Sequence, residues 1–260
     1  MSTNVEHNIA PRIAAVSEPR TDRRPGASAT TVRLTGLAYF GIILTGIFAE
    51  FVVRGRLIVD DDPLTTAANF AESPGLFRIG IGADVVMVAL DVAVAFGLFR
   101  LLRHVDRRLA LTATVLRLIQ GTVIAVNLLT LVRALDLAQD AVGTDAVLLV
   151  PAQEALDAVE RHALGYDAGL IAFGLGCLVL ARLLWLSGFV RRWLAIGMAA
   201  TGGVYLVGSF AALFAPELSS IVDPFYVIAL VVEVTFATQL IRGLPHRSTT
   251  ETNRPIPVDA

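Results

Sequence analysis

The chain has 260 residues, of which 55% are hydrophobic and 17% are charged, and its formal net charge is −2. Soluble domains average about 45–50% apolar and about 25% charged residues, so this composition excludes a disordered chain and argues against an ordinary soluble enzyme. A slightly acidic chain has no overall attraction to polyanions, which excludes nucleic acid as a partner. We therefore expect a membrane protein whose main partner is the lipid bilayer.

The chain begins with a polar segment, residues 1–33, which contains five arginines and no apolar run. The missing apolar run argues against a signal peptide, and the polar composition is typical of a disordered tail. A second polar segment, residues 244–260, contains three prolines. We predict that both segments are disordered tails and that residues 34–243 form one membrane domain.

Six long apolar segments lie between the two tails. A helix rises 1.5 Å per residue, so about 20 residues cross the roughly 30 Å hydrocarbon core of a bilayer. The segments are continuously apolar rather than alternating, which favours helices over strands. We predict an all-α, polytopic membrane helix bundle with six transmembrane helices, at residues 34–53, 79–99, 109–132, 163–186, 193–215 and 225–241.

Helix start signals lie between some of these segments. Asp62 and Pro63 open a short helix over residues 63–71, and Ser73 with Pro74 starts the second span before its apolar segment. Pro151, followed by acidic residues in the next turns, starts the fourth span well outside the membrane. The apolar face of that extension predicts packing against another part of the protein.

The placement of arginine predicts the orientation. All 21 basic residues are arginines, and fifteen of them lie in the tails or at or beyond the ends of the second, fourth and sixth spans. Five lie on the opposite side, and Arg117 lies inside a span. Because cytoplasmic loops are enriched in basic residues, we predict that both termini, and therefore both tails, are cytoplasmic.

Charged residues inside the spans mark the candidate site. Each costs about 2.5–3.5 kcal/mol at the bilayer centre when it is unpaired, so we expect these side chains to face the bundle interior. Asp84 and Asp91 are seven residues apart and share one helix face, as do Gln120 and Asn127 on the next span, with Arg117 beside them. The predicted intramembrane polar site contains Glu50, Asp84, Asp91, Arg117, Gln120, Asn127 and Glu233, while Asp167 is a further charged residue within a span.

Two interpretations of this polar interior remain open. In the first, Arg117 pairs with Asp91 or Glu233 and clamps the helices together. In the second, the groups line a solute or proton site. On the outer side, Arg54 and Arg56 contact an anion or lipid headgroups, or they pair with the acidic run that follows them. Tyr39 is expected near a span end, as interfacial anchors are.

Motifs for catalysis, metal binding and cofactor binding are missing from the sequence. There is no HExxH, GxSxG or Walker motif. Cys177 is the single cysteine, and none of the four histidines can pair with another inside a span. We expect no metal and no cofactor.

Three functional classes remain. We favour a non-enzymatic membrane protein with a structural or ligand-sensing polar core and a small-molecule or protein partner. The alternative is a small-solute or proton-coupled transporter that uses intramembrane carboxylates. A lipid-modifying intramembrane enzyme is the third class.

Several blocks of residues follow one another along the chain in a familiar order: residues 48–59, 76–81, 83–84, 91–93, 117–120 and 127–129. Together they resemble the DUF4386 family of uncharacterised bacterial integral membrane proteins. The resemblance implies a six-span bundle in a bacterial cell membrane, and it implies no activity. His104 stands where the family usually has proline, and Gly176 stands where histidine is frequent.

Overall fold

The computed structural model describes residues 26–142 and 148–243, and every regular element within these ranges is helical. Six of the seven helices are long and apolar enough to cross a membrane, which confirms the predicted all-α, six-span architecture. Most of the first predicted tail, all of the second, and residues 143–147 lie outside the described residues. The helices are α1 (Ala29–Leu57), α2 (Pro63–Glu72), α3 (Pro74–Leu102), α4 (Arg107–Ala141), α5 (Leu149–Ser187), α6 (Arg192–Phe214) and α7 (Pro216–Arg242).

The helix starts follow local capping chemistry. α1 begins at Ala29, earlier than the apolar segment at 34–53, because the Ser28 hydroxyl accepts a hydrogen bond from Thr31 N at 3.2 Å. α2 begins at Pro63 as predicted, where the Asp62 carboxylate accepts from Thr65 N at 3.0 Å. This backbone bond, together with the bond from the Thr65 hydroxyl, holds the pKa of Asp62 below its usual range.

The six spanning helices form a closed ring in chain order. The main contacts join α1 to α3, α3 to α4, α4 to α5, α5 to α6 and α6 to α7, and α7 returns to α1. After six crossings both ends of the spanning region lie at the same end of the bundle, which we call the terminal end; α2 lies at the opposite, far end. A ring of six helices encloses a central space that contains only side chains. Polar groups that face the interior therefore lie close together in this space.

The far end is extended by α4 and α5. These helices have 35 and 39 residues, which at 1.5 Å per residue is about 52 and 58 Å, well beyond a bilayer core of about 30 Å. The predicted packing of the α5 extension is confirmed: small side chains on both helices are completely buried against each other and against Phe70 of α2. The alanines involved are Ala134, Ala138, Ala141, Ala152, Ala155 and Ala158.

Glycines allow the closest helix contacts. A Cβ at Gly202 of α6 would lie 2.7 Å from the carbonyl oxygen of Gly174 of α5. A Cβ at Gly36 of α1 would lie 2.7 Å from the backbone nitrogen of Ile241 of α7. These contacts leave no room for a side chain, so backbone-to-backbone packing closes the ring at both places.

Candidate functional site

A cavity of about 250 Å³ lies inside the ring, and all six spanning helices contribute to its wall. The chain has four tyrosines, and all of them line this cavity. Sequence reasoning missed Tyr166, Tyr205 and Tyr226, because a single hydroxyl does not interrupt an apolar segment. The prediction that Tyr39 is an interfacial anchor was wrong, since its side chain is buried at 1% exposure in the ring interior.

Arg117 of α4 forms the centre of the polar wall. Its Nε donates a hydrogen bond to Oδ1 of Asp91 of α3 at 2.7 Å, and both side chains are buried. The guanidinium carbon lies 4.9 Å from the ring centroid of Tyr39 and 4.9 Å from that of Phe173. The cation is therefore held between two aromatic faces, which attract it through their quadrupoles.

Glu233 of α7 is the second buried carboxylate of the cavity. Its Oε1 accepts a hydrogen bond from the Tyr39 hydroxyl at 3.1 Å, and its Oε2 accepts one from the Tyr205 hydroxyl at 3.1 Å. These two bonds join α7 to α1 and to α6. Glu233 is thus fixed by two neutral donors rather than by a direct bond to Arg117.

Two residues that line the cavity each carry a buried oxygen atom without a partner. Asp91 Oδ2 and Gln120 Oε1 form no hydrogen bond with any described residue. A buried polar atom without a partner costs about 1–3 kcal/mol, so such atoms in a roomy polar cavity are normally satisfied by water or by a ligand. Asp91, Arg117, Gln120 and Glu233, together with the four tyrosines, are called the central site below.

A second polar cluster lies nearer the far end. Arg54 of α1 donates from Nη1 to Asp84 Oδ2 at 2.6 Å and from Nε to Glu50 Oε2 at 2.8 Å. Arg54 is only 7% exposed, so the predicted lipid, anion or acidic-loop contact is incorrect for this residue. We call Glu50, Arg54 and Asp84 the far-end cluster.

The Arg54 error arose because the predicted span ends at residue 53, whereas α1 continues to Leu57. α1 is π-helical over Phe48–Arg54, and such wide turns, with i→i+5 hydrogen bonds, rotate the residues after them relative to a regular α-helix. Arg54 consequently points into the bundle. Arg56, after the π-helical turn, is exposed at the far end.

Asn127 belongs to neither group. Its Nδ2 donates to the backbone oxygen of His162 at 2.7 Å and lies 3.1 Å from the His162 Nδ1. A Cβ at Gly165 would overlap the Asn127 amide, so this glycine makes the contact between α4 and α5 fit.

The structure therefore divides the single predicted polar site into separate groups. Asp91, Arg117, Gln120 and Glu233 line one cavity, whereas Glu50 and Asp84 pair with Arg54, and Asn127 contacts His162. Residues that share a helix face still differ in depth: Asp84 lies about 10 Å from Asp91 along the axis. A different arginine therefore reaches each aspartate.

A smaller cavity of about 20 Å³ lies beside the central site and is lined mainly by apolar residues, including Cys177. Arg117 and Phe173 line both cavities. Among the described residues, no group of three or more His, Cys, Asp or Glu side chains is placed to hold a metal ion. The central site is chemically suited to binding: it offers fixed charges, free acceptors and aromatic faces.

Comparison with known proteins agrees with this architecture. No curated protein and no solved structure matches the chain. The family described as "Domain of unknown function (DUF4386)" matches residues 34–243, the region that holds all six apolar segments and both polar groups. On this match over most of its length, the chain belongs to the DUF4386 family.

Proposed function

We propose that the protein is a non-enzymatic, ligand-binding membrane protein whose central cavity holds a small molecule. The observation that carries this proposal is a 250 Å³ cavity lined by Asp91, which has one buried carboxylate oxygen without a partner among the described residues. An apolar cavity of about 150 Å³ holds benzene, so this space accommodates a molecule of somewhat greater size. A clamp with no further role would be closed and fully hydrogen-bonded.

The polar groups are held in place before any ligand binds. Arg117 is fixed by Asp91 and by two aromatic rings, and Glu233 is fixed by two tyrosine hydroxyls. A largely preformed, mostly apolar cavity with a few fixed polar groups is the usual form of a small-molecule site. The same contacts also connect the helices, so the structural interpretation and the binding interpretation are compatible.

A test of this proposal uses native mass spectrometry of the protein extracted from its membrane in mild detergent. We expect a small-molecule adduct on the unmodified protein and its loss in Gly121→Leu. Gly121 lines the cavity, where an added Cβ lies 3.7 Å from Asp91 Oδ2, so the larger side chain fills the space. The matched control is Gly82→Leu on α3, where a Cβ meets nothing within 4 Å.

Two outcomes would count against a binding role. The first is the absence of an adduct on every form, even after incubation with a small-molecule extract of the membrane. The second is an adduct that Gly121→Leu and Gly82→Leu carry equally.

We also propose that both termini face the cytoplasm of a bacterial cell and that the protein lies in the cell membrane. The described loops support this orientation, since Arg100, Arg103, Arg107, Arg108 and Arg191 all lie at the terminal end of the bundle. The far end carries acidic residues on α4 and α5, as outer surfaces commonly do. The positive-inside rule places the arginine-rich end in the cytoplasm.

Proton-coupled transport of a small solute is the second candidate. The observation that favours it is that Arg117 and Phe173 line both cavities, so a path between the cavities would involve movement of these two side chains. Reconstituted liposomes test this function. Ligand-dependent proton flux that Asp91→Asn abolishes would establish transport, and the absence of flux from protein with an occupied cavity would leave binding as the function.

A further inference from the structure

The central cavity has a chemical character that selects its ligand. We propose that the ligand is a hydrophobic organic cation, a protonated amine, which reaches the cavity laterally from the lipid between α1 and α7. This inference rests on the ligand-binding function proposed above and adds the ligand class and the route.

The buried atoms without partners at the cavity indicate what a ligand must offer. The two buried atoms without partners, Asp91 Oδ2 and Gln120 Oε1, are both acceptors. A ligand that donates hydrogen bonds, rather than one that only accepts them, would therefore satisfy these atoms. A protonated amine donates to a carboxylate in a charge-assisted bond, which is roughly twice as strong as a bond between neutral groups.

The charged side chains that line the cavity favour a cationic ligand. Two carboxylates, Asp91 and Glu233, face one guanidinium, that of Arg117. The guanidinium is already bonded to Asp91 and covered by the rings of Tyr39 and Phe173. An anionic ligand would meet two carboxylates for one shielded cation, whereas a cationic ligand balances the excess negative charge.

The aromatic side chains that line the cavity also favour a cationic ligand. The Tyr205 ring contacts two other rings: its centroid lies 5.6 Å from that of Tyr226 and 5.0 Å from that of Phe173. Tyr166 lines the same cavity from α5. Aromatic faces around a cavity attract ammonium groups.

The route follows from which lining residues also lie on the bundle surface. Ile47 of α1 and Leu230 of α7 both line the cavity, and each is 38% exposed on a surface that faces lipid in a spanning bundle. At the terminal end the same two helices are closed by the contact at Gly36. The cavity therefore reaches the surface between α1 and α7 on the far-end side of the Tyr39–Glu233 bond, through apolar residues that suit a hydrophobic tail.

A matched series of probes tests the ligand class. Phenylbutylamine, phenylbutanol and phenylbutanoate share one apolar body and differ in the polar end, and the amine is protonated at neutral pH. Affinities are measured by calorimetry on the purified full chain in detergent, with thermal stabilisation as a second readout. We expect the amine to bind at least about tenfold more tightly than the alcohol, as a charge-assisted bond in a buried site implies, and the carboxylate to bind most weakly.

Variants locate the interaction. Asp91→Asn should lose about tenfold in amine affinity, but this change also leaves Arg117 without its charged partner, so a second variant is needed. Glu233→Gln keeps an acceptor for a tyrosine hydroxyl and removes one charge, so it should weaken amine binding while alcohol binding stays unchanged. Asp167→Asn removes an intramembrane carboxylate that does not line the cavity, and it should bind the amine as the unmodified protein does.

The outcomes separate the ligand class from the binding function. Equal or tighter binding of the alcohol or the carboxylate, abolished by Gly121→Leu, would overturn the cationic class and leave cavity binding intact. Failure of all three probes on protein that carries its own adduct in the mass spectrum would also overturn only the class. Failure of all three on protein without an adduct would overturn both proposals.

Discussion

Arg117 and Arg54 are buried arginines of the described chain, and each is paired with an aspartate of α3. Asp84 and Asp91 lie on one face of that helix at two depths, so α3 is held by α1 at one level and by α4 at the other. Each pair costs desolvation, which only close geometry and further hydrogen bonds offset. The two pairs therefore fix the relative positions of three helices.

The first prediction concerns the central pair. Arg117→Leu should reduce the free energy of unfolding by about 3–5 kcal/mol, because Asp91 is left buried without its partner. Arg133→Leu, on an exposed position of the same helix, should have little effect. Thermal unfolding in detergent measures both, and equal stability of the two variants would show that the buried pair is not formed.

The second prediction concerns the fork of Arg54. Its side chain bonds two carboxylates through separate nitrogens, and a lysine ammonium cannot reproduce this geometry. Arg54→Lys should cost about 1–3 kcal/mol of stability, since a buried acceptor is left unpaired. The control is Arg56→Lys at an exposed position, and a control as unstable as Arg54→Lys would refute the assignment.

The residues of the central site were only partly predictable from sequence. Asp91, Arg117 and Gln120 follow from helical periodicity and depth, because antiparallel neighbours bring residues of similar depth together. Tyr205 and Tyr226 do not, because tyrosine is common at many positions in apolar helices. Arg54 was misplaced because the apolar segment ends at Val53, whereas α1 continues to Leu57.

At the scale of helices, the spans were predictable and their exact starts were not. The apolar segments are set by bilayer thickness, whereas the ends depend on capping residues such as Ser28 and on packing outside the membrane. Short loops also predict that consecutive spans are neighbours. The closure of α7 onto α1 was not predictable, because it depends on the glycine contact at Gly36 rather than on connectivity.

The third prediction tests a helix contact with two adjacent glycines of α6. Gly202→Ala should cost about 1–3 kcal/mol, because its Cβ would lie 2.7 Å from the Gly174 carbonyl oxygen. Gly203→Ala, where a Cβ meets nothing within 4 Å, should be neutral or slightly stabilising, since alanine favours helix over glycine. Thermal unfolding compares the two, and a Gly202→Ala variant as stable as Gly203→Ala would contradict the close approach of α5 and α6.

At the scale of the whole molecule, the closed ring explains both the cavity and the even number of crossings. The fourth prediction concerns orientation and uses cysteine labelling in a Cys177→Ser background. Gln139→Cys at the far end should react with an impermeant reagent added to intact cells, because this position is exposed outside the predicted bilayer. Arg103→Cys at the terminal end should react only after the membrane is opened. Labelling of both positions from the same side would contradict the six-span topology, and the reverse pattern would invert the orientation.

The central cavity is the basis of the proposed function. Whether it holds a ligand decides between a binding role and a purely structural polar core. The most direct measurement is a high-resolution structure of the full chain in lipid nanodiscs, prepared from its own membrane without added ligand. We expect non-protein density in the space between Asp91, Tyr205 and Glu233, within hydrogen-bonding distance of Asp91 Oδ2. A collapsed, empty core in which Arg117 bonds both Asp91 and Glu233 would contradict the proposed ligand-binding role.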